Sequence, residues 1–331
     1  MHFFVALFPV LIFLGILFAL DSFKLVRRRS LAGALAYGGA AAVAVLLLHA
    51  VLPLDHLPAP VISRYVAPPL EEVAKALLLV FLIRTHRVGF LVDALVLGFA
   101  VGAGFSVVEN LVYLRTLDAG VVVWAVRGFG TAMLHGACTG IFAILAKGTA
   151  DRRGGGAAAF AGPIAAAIAI HSAFNHVLLP AALQAAFMLL ILPGLVLWIF
   201  ERSERATRDW IGAGLDLDVE LLQLVASDAF SQTRFGRYLD ELKSRFPPLI
   251  VVDMFCLLRL ELELSAHAKG LMMARQAGLP LDSDADLRAA LAEREYLQES
   301  IGALGIRALE PLQITSYRDH WHRHLLRRQA G

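Results

Sequence analysis

The chain has 331 residues, 58% of them apolar, and a mean hydropathy of +0.66, which excludes a single soluble core and predicts several membrane spans. A formal charge of +2 is too small to argue for a nucleic-acid partner. The two cysteines, Cys138 and Cys256, fall in different compartments of the predicted fold, which argues against a structural disulfide or a thiolate metal site.

Met1 to about Phe23 reads as a retained first span rather than a signal peptide. It lacks a basic leader, and its apolar run from Phe3 to Leu20 is too long for one. Lys24, Arg27, Arg28 and Arg29 then form a basic loop that the positive-inside rule keeps cytoplasmic, so the N-terminus is expected outside. Leu31 to Leu54 returns as span two. An outer loop from Asp55 to Pro69 follows, punctuated by Pro58, Pro60, Pro68 and Pro69.

Span three is expected from Leu70 to Ile83, with Glu71, Glu72 and Lys75 on the helix near its outer end. Span four runs from about Val88 to Leu114. Its Ala94, Gly98 and Gly102 recur every four residues, a stripe of small side chains that admits a close helix neighbour. Arg115 to Arg127 is an outer connection, and these two arginines are the exceptions to the loop-charge pattern. Span five, about Gly128 to Ala146, carries His135, with Gly136 and Gly140 beside it. Span six, Ala157 to about Leu179, carries His171 and Asn175, and span seven ends near Phe200.

The rest is amphipathic. Leu221, Leu222, Leu224 and Val225, then Leu239 and Leu242, have core-face spacing. Gly278-Leu279-Pro280 marks a turn and Asp282-Ser283-Asp284 a helix cap, while Leu249 to Leu264 reads as a buried helix rather than an eighth span. His320-Trp321-His322-Arg323-His324 with Arg327-Arg328 reads as a cationic helix end rather than a metal tract. The predicted fold class is therefore an all-α, polytopic membrane bundle of about seven spans. It divides into a transmembrane domain, 1–206, and a cytosolic helical domain, 207–331.

Ionisable groups in hydrocarbon are costly and normally mark function. Glu71, Glu72, Glu109, His135 and His171 come from four helices at a similar expected depth and can form one site. Adjacent on a helix, Glu71 and Glu72 point about 100° apart, so they are not expected to face the same partner. Lys75 is within ion-pair reach of either, and Asn175 shares a face with His171. Two chemistries fit. In one, carboxylates and histidines hold a divalent metal such as zinc that activates water. In the other, a glutamate activates water directly while histidine and asparagine stabilise the oxyanion. No His-Glu-x-x-His is present.

Glu71-Glu72-x-x-Lys75, Phe105-x-x-x-Glu109-Asn110, His135-Gly136 and His171-x-x-x-Asn175 resemble, in order and spacing, the motifs of the PrsW family of intramembrane proteases. That family is similar to the wider group containing the type II CAAX prenyl endopeptidases. The resemblance covers about residues 60–200. It implies hydrolysis of a peptide bond in a membrane-associated protein, such as the first cut in an anti-sigma factor, by an enzyme of the cell membrane. Carried over by position, Glu72 is the leading water-activating residue with Glu71 beside it. Glu109, His135 and His171 complete the site and Asn175 assists the oxyanion, with Lys75, Phe105 and Asn110 in support. A metal, if present, falls to Glu72, Glu109, His135 and His171. The non-proteolytic alternatives are an ion- or proton-coupled transporter and an inactive membrane signalling receptor.

Overall fold

The computed structural model describes residues 1–21, 26–54, 56–176, 180–277, 279, 285–312 and 325–327. Lys24, the Asp282 cap, Gly278, Pro280 and the stretches 320–324 and 328 lie outside them. Among the described residues every regular element is helical. By its contacts the chain divides into two compact units, Met1–Glu204 and Arg205–Gly331.

In the first unit, α1 (His2–Leu20) and α2 (Arg28–Val51) precede a short α3 (Ala59–Val61), which opens through a π-helical stretch, Ile62–Val66, into α4 (Ala67–Arg84). Next come α5 (Leu91–Thr116), α6 (Val121–Val126), a second π-helical stretch (Arg127–Thr131), α7 (Ala132–Arg153) and α8 (Ala158–Asn175). α9 (Ala181–Val225) runs through the division between the units. Among the described residues six helical segments are long and apolar enough to cross a membrane: α1, α2, α5, α6–α7 together, α8 and α9. The third predicted span, α4, is a helix of 18 residues but is not among the six, because Glu71, Glu72 and Lys75 interrupt its apolar run. Pro68 and Pro69 sit in its first turn, where a missing backbone N–H costs little.

α5 is the hub. All of its residues from Val92 to Ser106 are buried, and it packs against α1, α2, α4 and α7. The small-residue stripe explains the closeness. A Cβ on Gly102 would lie 2.1 Å from the carbonyl oxygen of His135, and one on Gly104 would lie 1.9 Å from that of Leu35. Neither position accepts a larger residue without moving a helix. α4 packs against α2, α5, α7 and α8, so its polar turn faces protein rather than lipid. Trp124 of α6 is buried with Ala6 and Leu7 of α1, and its indole donates to Ala119 O.

The second unit holds the end of α9, α10 (Arg234–Leu242), α11 (Pro248–Gln276) and α12 (Ala285–Leu309). The predicted buried helix, Leu249 to Leu264, lies within α11, where Met254, Leu257, Leu260 and Leu264 are buried. Buried ions here meet in pairs: Lys269 with Asp218 at 2.6 Å and Arg294 with Glu261 at 2.7 Å. Cys138 is buried and Cys256 half-buried, both as free thiols.

Candidate functional site

The site begins on the first two turns of α4. Glu72 is 2% exposed and Lys75 fully buried, and they form an ion pair of 2.6 Å one turn apart. The same Glu72 oxygen accepts a hydrogen bond from His171 Nδ1 of α8 at 2.8 Å. Lys75 also reaches His135 Nδ1 of α7 at 3.0 Å and lies 4.5 Å from the centre of the Phe105 ring. The His135 and His171 rings meet edge to face at 4.9 Å.

These contacts assign the imidazole protons. An ammonium only donates, so His135 Nδ1 accepts and its proton sits on Nε2, which donates to Glu109 Oε2 at 3.0 Å. His171 donates from Nδ1 to Glu72, leaving the lone pair on Nε2. That lone pair faces Glu71 Oε2 at 3.9 Å, and Glu71 Oε2 is 3.8 Å from His135 Nδ1. Glu71 Oε2 is buried without a hydrogen-bond partner. Three acceptor atoms thus converge on one point.

The donor set fits a divalent cation. One ligand atom each from Glu71, His135 and His171 lies within 4.8 Å of the others, and two imidazoles with a carboxylate are a common catalytic zinc set. Glu72 on the rear nitrogen of His171 is the carboxylate that orients a ligating imidazole. Lys75 stands on the His135 lone pair and has to swing aside for that nitrogen to ligate.

A cavity of about 370 Å³ opens onto these groups, lined by Glu71, Glu109, His135, His171, Arg127 and Asn175 among others. Arg127, from the π-helical stretch, donates through Nε to Asn110 Oδ1 at 2.9 Å, lies 3.5 Å from Glu109 Oε2 and stacks on Tyr113 at 3.8 Å. A widened π turn is a common device for aiming a side chain at a site.

Several expectations change. Glu71, not Glu72, lines the cavity, while Oε1 of Glu72 is held by Lys75 and His171. Glu71 and Glu72 do share a partner: His171 spans the angle between them, with one ring nitrogen toward each. Asn175 lines the cavity, and its amide, expected at the oxyanion, donates to Ser63 O at 2.8 Å. Asn110 has a structural tie, donating to Ala6 O of α1 at 2.9 Å. Glu109 meets His135 and Arg127, and it stands outside the converging group of three.

Arg127 and Tyr113 were not singled out by sequence. The signal for Arg127 was its misfit in the loop-charge pattern: it is occupied inside the protein by Glu109, Asn110 and Tyr113. Tyr113, in an apolar run, gave none.

Comparison with protein families finds that a profile described as PrsW family intramembrane metalloprotease matches residues 24–200. Comparison with curated proteins and with solved structures finds no match.

Proposed function

This chain belongs to the PrsW family of intramembrane metalloproteases, and from that premise we propose that its Glu71–His135–His171 group is the catalytic centre. The chain is a membrane-embedded protease whose substrates are membrane proteins. The single observation that carries the site assignment is Glu71 Oε2, a buried acceptor with no hydrogen-bond partner, facing two imidazoles across less than 4 Å.

In this reading Glu71, His135 and His171 hold a divalent cation such as zinc. When bound it supplies Lewis acidity toward the scissile carbonyl and activates water. Glu72 fixes the His171 tautomer, and Lys75 holds Glu72 in place. Glu109 Oε2 accepts from His135, while its Oε1 has no hydrogen-bond partner among the described residues. Glu109 Oε1 takes one proton from water as the water oxygen adds to the carbonyl carbon. The C–N bond then breaks and the same proton passes to the leaving amine. Arg127 keeps Glu109 aimed at the cavity, and Asn175 holds the cavity wall through Ser63. The Lys75 contact with His135 Nδ1 supports a second reading, in which Glu71 acts on water without a cation.

The wider setting is part of the proposal. Residues 1–206 form the protease domain of a multi-pass cell-membrane protein with its N-terminus outside. Residues 207–331 form a cytosolic helical domain that recruits or senses. A membrane-anchored anti-sigma factor is a candidate substrate.

The test is proteolysis of membrane proteins in proteoliposomes by wild type and Glu71→Gln, with and without a chelator. Cleavage by wild type alone, lost with chelator and restored by zinc, is the expected result. Cleavage that survives the chelator but not Glu71→Gln selects the cation-free reading. Equal cleavage by both proteins overturns the assignment of Glu71.

A further inference from the structure

A second cavity, of about 440 Å³, adjoins the catalytic one. The two share Ser63, Ala67, Glu71, Glu109 and Tyr113 as walls. Away from that shared boundary the second cavity is apolar, walled by Ala42, Val45, Leu46, Ile62 and Val112 from α2, the π-helical stretch Ile62–Val66 and α5. Its volume is in the range of sites that seat an organic ligand or a few side chains. One polar group breaks the apolar wall. His49 lines it, and His49 Nε2 is a buried atom with no hydrogen-bond partner. A buried imidazole nitrogen left unpaired costs free energy, which a ligand with a hydrogen-bonding group can recover.

Resting on the protease reading above, we propose that this cavity is the specificity subsite of the enzyme. It seats a large apolar side chain of the substrate next to the scissile bond, while His49 hydrogen-bonds the substrate main chain. Continuity with the catalytic cavity identifies the occupant. Whatever fills the apolar space abuts Glu71 and Glu109, so a chain passing from one cavity to the other presents its peptide bond to them. An extended segment has unpaired main-chain groups to offer His49, and a hydrocarbon tail has none. The preferred substrate is therefore a membrane segment, locally unwound, with a bulky aliphatic or aromatic residue adjoining the cut.

The experiment uses the full chain in proteoliposomes and a pool of synthetic single-span peptides randomised around mid-span, with new termini read by mass spectrometry. Wild type should favour leucine, isoleucine or phenylalanine over glycine at one fixed position beside the cut by roughly tenfold or more, the discrimination an apolar pocket can deliver. Ala59→Trp, at an exposed position on the cavity wall, should erase that preference, bringing cleavage of the leucine, isoleucine and phenylalanine peptides down to that of the glycine-bearing ones. Leu46→Trp, 36% exposed on another wall, gives the same readout if the first variant fails to fold. His49→Phe should raise KM with kcat unchanged. A wild-type preference that persists in the folded tryptophan variants, with KM unmoved by His49→Phe, overturns the subsite and leaves the cavity to lipid. Absence of any cleavage by wild type overturns the protease reading itself, and the subsite with it.

Discussion

Lys75 in the first unit and Lys269 in the second are both buried, and each meets a carboxylate at 2.6 Å, yet their surroundings differ in kind. Lys269 donates to Asp218 Oδ2 and to the carbonyl of Gly214, both on α9, so that it ties α11 to that helix. Around Lys75 the acceptors are shared onward. Glu72 also accepts a hydrogen bond from His171 Nδ1, His135 Nε2 donates to Glu109, and Glu71 Oε2 is left over. A buried ion pair that ties one helix to another holds a fold together. A buried network with more acceptors than donors is arranged for something that is yet to arrive, a cation or a water.

The sharpest way to break this comparison is Glu71→Gln. Removing the open acceptor should lower turnover by roughly a thousandfold, because it costs the cation a ligand or, in the cation-free reading, removes the group that acts on water. Thermal stability should barely move, since that oxygen has no hydrogen bond to lose. A large loss of stability would mean that Glu71 is part of the scaffold.

Next in size are Lys75→Met and Lys269→Met. Each strands a buried carboxylate and should destabilise by about 3–5 kcal/mol, measurable by chemical unfolding in detergent. The compensating doubles separate the two regions. Lys269→Met with Asp218→Leu should regain most of the lost stability, because a buried pair replaced by apolar groups is often neutral. Lys75→Met with Glu72→Leu should regain stability without regaining cleavage, since the His171 tautomer is no longer held.

A smaller effect is expected from Gly102→Ala. The added methyl meets the His135 carbonyl, so α7 must give way, at a cost of about 1–3 kcal/mol for overpacking. Cleavage should fall because His135 moves with its helix. The smallest is His176→Phe. His176 bonds Tyr65 and the Ser172 carbonyl at a half-exposed position outside the cavity walls, and stability should stay within about 0.5 kcal/mol with cleavage rates unaltered.

Much of this was legible in the chain itself. The long apolar runs specify the helices, because a membrane admits little else, and the glycine stripe of α5 meets α7 at His135, as spacing suggested. Placing Glu71, Glu109, His135 and His171 at a common depth follows from helix rise and span order alone. The cost of an ion in hydrocarbon makes each of them conspicuous. The apolarity of α4 was less legible: its ionic turn makes it a poor span by composition, although it is a helix packed inside the bundle.

Sequence by itself determined which residue types are present, which helices carry them and at what height, since those quantities depend on local geometry and on transfer of side chains into an apolar medium. Only the tertiary structure decided that Glu71 rather than Glu72 faces the cavity, that Lys75 and Glu72 spend their charge on the two imidazoles, and that Arg127 turns inward through a π turn. Those outcomes depend on the rotation of each helix about its axis. That rotation is set by packing against three or four neighbours at once, a many-body condition that no single stretch of sequence contains.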